Sequence, residues 1–253
     1  MAKVHRARSD EDKRGRRRAI LDMALRMYEE EPSFVAFTMA ALAERAGLAK
    51  GTLYLYFRTK DEVFLALVEQ LSDIWFSDVD ARLVNRAGEW RPAEVADALV
   101  SSLAGRETLA RLLSIMGAIV EHNVELETAL AFKRTHYARV AATGGLLESR
   151  LPFLSRGQGA RLMVHLQALV VGVWQLHEPS AVVCRAMDDP DLRRFRVDFA
   201  EDLRTMMASM LEGMRSGAIT ASTSAEPLFG SAVAQPVPVG RPVDPAPWRE
   251  RWI

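Results

Sequence analysis

The chain has 253 residues, of which 49% are apolar and 26% charged, with a formal net charge of zero. That is enough apolar material for a sizeable core in one large or two small domains. A single cysteine, Cys184, excludes an intrachain disulfide and any thiolate zinc or iron–sulfur site built from this chain alone. With no secretory leader and no run of about 18 apolar residues, the expectation is a cytoplasmic protein that does not enter a membrane.

The charge is unevenly distributed. Residues 1–60 carry thirteen Lys and Arg against eight Asp and Glu, whereas the remainder is acidic. Most of the excess lies in Lys3, Arg6, Arg8, Lys13, Arg14, Arg16, Arg17 and Arg18. A basic head on an acidic body suits a head that meets a polyanion. Residues 1–14 read as a flexible basic arm.

Ala19, Ile20, Met23, Ala24, Met27 and Tyr28 then recur at helical spacing, and Pro32-Ser33 stops that first helix. Thr38 opens a second helix as its N-cap, and Gly47 closes it. A short segment from Lys50 to Phe57 follows. Thr59-Lys60-Asp61-Glu62 has the form of a capping box at the start of a long helix toward Leu83. Pro92 fits the first turn of a helix to Leu103. Further helices are expected at Thr108–Val120, Leu126–Leu151, Gln158–His177 and Asp191–Arg215, with Gly144-Gly145 marking a kink or a close helix contact. From residue 216 the composition turns to Ala, Ser, Pro and Val, so 216–253 reads as a disordered tail. Trp248 and Trp252 within it are either a docking motif or neutral.

Two short helices joined by Gly47-Leu48-Ala49 describe a helix-turn-helix, whose second helix enters the major groove. Leu53 and Phe57, four apart, face the core, and Lys50, Thr52, Tyr54 and Tyr56 point elsewhere. Tyrosine hydroxyls reach phosphate oxygens while the rings pack on sugars, and Lys50 neutralises charge. The first turn of the next helix offers amides, a dipole and the Lys60 ammonium to a further phosphate. The candidate DNA contacts are Thr38, Arg45, Lys50, Gly51, Thr52, Tyr54, Leu55, Tyr56 and Lys60.

The run from Phe37 to Glu62, and above all Lys50-Gly51-Thr52-Leu53-Tyr54-Leu55-Tyr56-Phe57-Arg58-Thr59-Lys60, closely resembles the DNA-binding motif of the TetR family. The motif resemblance covers roughly residues 15–70, and residues 90–215 only by helical architecture. It implies an all-α protein with a three-helix DNA-binding domain over 15–62. A larger helical domain over 63–215 would bind an effector and dimerise. Ala49 stands where the family usually has a serine capping the recognition helix, and Ala40 where a basic residue is common. Both departures imply fewer backbone contacts, which Arg14–Arg18 would offset.

The second half holds polar residues amid apolar stretches, among them His122, Asn123, His136, Tyr137, His165, Gln175 and His177. Phe132 and His136 share one helix face, and Gln167, Val170, Val171 and Trp174 share another. Phe132, His136, Gln167, Val171 and Trp174 are therefore the expected pocket walls, suited to a small, largely apolar or aromatic effector. Arg134 and Arg139 nearby leave room for one carboxylate on it. Ala168 and Gly172 are small residues at i,i+4. With Phe195 and Phe199, they make up the expected homodimer interface that the resemblance implies for the last two helices.

Each polar residue taken singly is more often a satisfied core or surface group than a ligand. Glu121-His122 with Glu125 has metal-ligand spacing, but helix surfaces produce that spacing constantly, so neither metal nor cofactor is expected. Gly157-x-Gly159 follows no strand and is too short for a dinucleotide fingerprint, and no nucleophile elbow or phosphate-cradling loop is present, so no enzyme activity is expected. The expected function is an autonomous, ligand-responsive repressor of double-stranded operator DNA. The alternatives are an activator or ligand-independent regulator of the same fold, or a helical enzyme or scaffold that has kept it.

Overall fold

A computed structural model describes residues 2–86 and 88–218, with side chains over 12–86, 88–117 and 124–218. Among these residues all regular structure is helical: α1 (Ala2–Glu30), α2 (Met39–Arg45), α3 (Lys50–Tyr54), α4 (Lys60–Asn85), α5 (Pro92–Ser101), α6 (Glu107–Asn123), α7 (Leu126–Arg150), α8 (Gln158–His177), α9 (Ala181–Ala186) and α10 (Phe199–Arg215). No helix among them is long and apolar enough to cross a membrane. Residues 219–253, most of the expected tail, lie outside the described residues, as do the side chains of Glu121, His122 and Asn123.

The head forms as its local signals dictate. Ile20, Ala24 and Tyr28 bury one face of α1. Thr38 caps α2, its hydroxyl accepting from the Ala41 amide at 3.2 Å. The chain then turns through Gly47 at φ 65°, a left-handed conformation that glycine adopts without strain. There the Leu48 amide donates to Ala43 O at 2.9 Å, closing the end of α2. α1 runs back to Ala2 rather than emerging from a flexible arm over 1–14. That segment contains no proline, and Asp12 and Arg16 stand at the spacing that supports a helix.

α4 crosses the expected domain boundary at 62/63 without a break. Its Phe64 sits inside the head, with the rings of Tyr28, Phe34 and Phe37 edge-on at 5.1, 4.9 and 4.9 Å. Its Trp75, Phe76, Val79 and Leu83 are buried in the body, where α4 packs on α6 and α7. The Thr59 hydroxyl accepts from the Glu62 amide at 3.2 Å, as the capping box requires, but Glu62 reaches back to the amide of Arg58 at 2.7 Å, one residue earlier than expected. Pro92 opens α5 in its first turn, and Glu94 accepts from the Arg91 amide at 2.9 Å.

α7 and α8 pack closely together, and α10 lies on α5 and α8. Glu148 caps the start of α8 by accepting from the amides of Gly157 and Gly159 at 2.8 and 2.9 Å. The helix expected over Asp191–Arg215 begins only at Phe199. Asp198 caps it by accepting from the Glu201 amide at 2.8 Å, and this Asp-x-x-Glu signal marks the true start. Between α8 and α10 the chain makes an exposed excursion containing α9 and a single 3₁₀ turn, Arg193–Phe195.

Candidate functional site

The outward face of the helix-turn-helix follows from which residues α3 buries. Leu53 is fully buried and Phe57 is 2% exposed, so Lys50, Gly51, Tyr54 and Leu55 stand on the opposite, solvent side. Leu55 is 83% exposed, an apolar side chain with no partner within the head. Thr52 is half-buried at the flank. Ala49, at the N-cap of α3, makes no side-chain hydrogen bond, which leaves the first turn of that helix uncapped, as the alanine dictates.

Other candidates are committed elsewhere. Arg45 forms a two-pronged ion pair with Glu30 at the end of α1, one prong at 2.8 Å. The Lys60 ammonium donates to Phe34 O at 2.8 Å and Phe37 O at 3.4 Å and lies 4.2 Å from the centre of the Phe34 ring. It ties the start of α4 to the loop before α2, so its ammonium is engaged within the head. Three carbonyl and π acceptors outcompete water for a half-buried ammonium. Tyr56 is half-buried and turns into the seam between head and body, away from Tyr54. Three arginines of α1 lie close to the helix-turn-helix. Arg16 and Arg26 border a hollow beside Ala46 and Leu48, next to the turn, and Arg17 lies 4.8 Å over the Phe57 ring.

The seam contains two adjoining hollows of about 420 and 380 Å³. α1 supplies Arg17 and Leu21, α4 supplies Ala66, Glu69, Ser72, Asp73 and Phe76, and α7 supplies Phe132, Thr135, His136 and Arg139. Phe132 stacks on His136 at 5.7 Å, with the Phe76 ring edge-on at 5.9 Å. His136 Nε2 lies 3.0 Å from Gln167 Oε1. A carbonyl oxygen only accepts, so Nε2 carries the proton. Burial pushes the His136 pKa down and Lys133 adds to the effect, against the opposing hydrogen bond to Gln167. The residues of α4 that line the hollow were missed, although polar Glu69, Ser72 and Asp73 interrupting an apolar helix were the available signal.

The expected pocket does not assemble as one site. Phe132, His136 and Gln167 come together, but Trp174 lies in a different hollow, with Leu103, Arg106, His177, Phe199 and Arg204. There Trp174 Nε1 donates to Glu178 at 3.0 Å, and Phe199 meets its ring edge-on at 5.1 Å. Arg111 joins Glu178 from α6, and this hydrogen bond, more than any other cause, holds the Glu178 carboxyl below its ordinary pKa. Trp174 therefore clasps α6, α8 and α10. Val171 is half-buried and lines neither hollow. The two members of the α8 stripe, Gln167 and Trp174, are two turns apart, which places them about 10 Å apart along the axis.

Of the candidate interface residues, Ala168 and Gly172 are exposed on the outer face of α8, and Phe195 is 61% exposed. Phe199 is half-buried against Trp174 in its own chain. Arg139 stands between Asp73 and Asp80, its Nε 3.0 Å from Asp73 though off the line of a hydrogen bond, and a terminal nitrogen 3.3 Å from Asp80.

Residues 20–67 match the family model for bacterial regulatory proteins of the tetR family, and residues 69–218 match a tetracyclin repressor-like C-terminal domain. The chain belongs to the TetR family. It is a DNA-binding regulator with the family's helix-turn-helix head and a helical C-terminal domain. Curated relatives include the nucleoid occlusion factor SlmA from two strains of Haemophilus influenzae, each 31% identical over 70 residues, 28% of this chain and 32% of that protein. The match thus spans about a third of the length of those relatives. Among solved structures, a transcriptional regulator from Rhodococcus sp. Rha1 superposes with a TM-score of 0.49 at 19% identity, covering 78% of this chain and 93% of that one. A SmeT–triclosan complex superposes with a TM-score of 0.44 at 19% identity, covering 88% and 99%.

Proposed function

We propose that this TetR-family protein is an autonomous, ligand-responsive repressor. It binds operator DNA as a homodimer through α3 and releases it when a small, largely apolar or aromatic molecule enters the seam between α1, α4 and α7. The observation that carries this reading is the placement of α4. Phe64 lies in the aromatic core of the head and Phe76 lines the seam, on one unbroken helix. Arg17 and Leu21 of α1 face the same space, so a bound molecule bears on the head directly. An occupant that favours one disposition of α1 against α4 shifts the population of DNA-competent dimers by its differential affinity, typically about 1–3 kcal/mol.

The outer face of α8 supports the dimer. Ala168, Gly172 and Leu176 lie along it, with Leu176 65% exposed, and open space surrounds Gly172. Small residues on such a face let a second helix approach closely. A twofold dimer then presents two copies of α3 to successive major grooves about 34 Å apart.

Fluorescence anisotropy on DNA from the protein's own upstream region tests the proposal, with size-exclusion light scattering for the oligomer. The expected result is a dimer that binds in the nanomolar range and is displaced by an apolar aromatic compound, with displacement lost in Phe132→Ala. A monomer, or DNA affinity indifferent to every such compound, overturns it.

A further inference from the structure

The two seam hollows share Arg17, Ala66, Glu69, Phe132 and Thr135, so they form one continuous groove. The charges along it are unbalanced: carboxylates from Glu62, Glu69, Asp73 and Glu127 face guanidinium groups from Arg17 and Arg139 alone. Arg139 is held by Asp73 and Asp80, and drawing it toward a ligand would leave those two carboxylates without their partner. Arg17 already rests on the face of Phe57. Arg134, the other cation considered for a carboxylate ligand, is exposed and borders neither hollow.

Glu69 is half-buried and has no hydrogen-bond or ion-pair partner among the described residues. Ser72, one turn on, is only 4% exposed, and its hydroxyl likewise has no partner among them. An unpaired carboxylate beside an apolar wall is costly unless something compensates it. The same hollow is lined by the rings of Phe76, Phe132 and His136, whose faces attract cations and repel anions: Arg139 lies 5.5 Å from the centre of the Phe76 ring and Lys133 6.0 Å from that of Phe132.

We propose that the groove binds a monocationic aromatic molecule, its charge on Glu69 and its ring against Phe76, Phe132 and His136. This rests on the reading of the seam as the effector site, and it replaces the carboxylate that the sequence alone left room for. A cation beside Glu69 also faces the Arg17 guanidinium across the groove. Binding there repels α1 and so disturbs the seating of the head.

The test is calorimetric titration of the full-length protein with naphthylmethylammonium and with naphthylacetate, which share a ring system and differ in charge. The ammonium is expected to bind at least about tenfold more tightly than the carboxylate and to weaken as salt is added. Glu69→Gln should weaken it about tenfold with a melting temperature unchanged or raised, and Glu69→Asp should restore part of the loss. Equal or tighter binding of naphthylacetate, an unaltered affinity in Glu69→Gln, or no binding of either probe overturns the proposal. DNA anisotropy separates it from the broader reading. Naphthylacetate that binds in the groove, loses binding in Phe132→Ala and releases DNA would refute the cation while keeping the effector site. Ammonium binding that depends on Glu69 but leaves DNA affinity unchanged would keep the cation site and remove its effector role.

Discussion

Gly144 of α7 and Gly159 of α8 meet backbone to backbone: a Cβ built on Gly159 would lie 2.0 Å from Gly144 O, and one on Gly144 would lie 2.3 Å from the Ala160 amide nitrogen. Backbone atoms have no rotamer by which to yield, so this contact fixes how closely the two helices approach.

Gly144→Ala should therefore destabilise the protein by about 3 kcal/mol or more, through forced separation of α7 and α8. Gly145→Ala is the matched control. Its Cβ meets nothing within 4 Å, and it should be neutral or stabilising by up to about 1 kcal/mol through helix propensity. Chemical denaturation of both variants decides the point. Similar losses in the two would mean that the contact does not set the packing.

The lone sequence signal, Gly144-Gly145, gave two readings because a glycine pair in a helix is compatible with a kink or a contact. Only the neighbouring helix tells them apart. The same logic separates what was legible from what was not. Thr38, Gly47 and Thr59 act on amides within a few residues, so the helix-turn-helix was readable locally. Phe132 and Trp174 were assigned to one pocket because periodicity shows that a face is buried but not which helix buries it. The hold of Lys60 on the carbonyls of Phe34 and Phe37 was not legible because they come from a loop over twenty residues earlier.

Lys60 separates the two accounts of the head. Lys60→Ala should lower stability by about 1–3 kcal/mol, by leaving two carbonyls short of a charged donor. At a temperature where it is folded, the salt slope of its DNA binding should stay near that of the wild type. Lys50→Ala should instead keep its stability and lower the slope by about one phosphate contact. Thermal melts and anisotropy at several salt concentrations distinguish these. A stable Lys60→Ala protein with a reduced slope would restore Lys60 to the DNA surface.

His136 gives stability a pH dependence of determinate sign. Its folded pKa lies below the ordinary histidine value because burial disfavours the charged ring. Between the two values the unfolded chain holds more protons, so the histidine's contribution is present above about pH 6.5 and is lost as the pH falls toward its folded pKa. The carboxylates paired with arginine, such as Glu94 with its pKa lowered to about 2, act only at lower pH. His136→Gln, which can still meet Gln167, should flatten the fall in melting temperature between about pH 6.5 and 5. An unchanged profile would show that the ring is accessible to protons when folded.

Gly172→Leu probes the proposed dimer. No neighbour lies within 4 Å of the Cβ it adds, so the fold of each subunit should tolerate it, at a melting temperature measured where dissociation is complete. Sedimentation should show a weaker dimer, by about tenfold or more if a second α8 packs there. A Gly172→Leu dimer as tight as the wild type would move the interface off this face of α8.

The central claim, that this chain recognises duplex DNA through α3 as a twofold dimer, is tested most directly by selection from a random duplex pool. The wild type should enrich a palindromic sequence with half-sites about one helical turn apart, and Thr52→Ala should enrich a different one, since that residue flanks the exposed face of the recognition helix. A pool without enrichment, or an unpaired half-site selected identically by both proteins, would contradict the account.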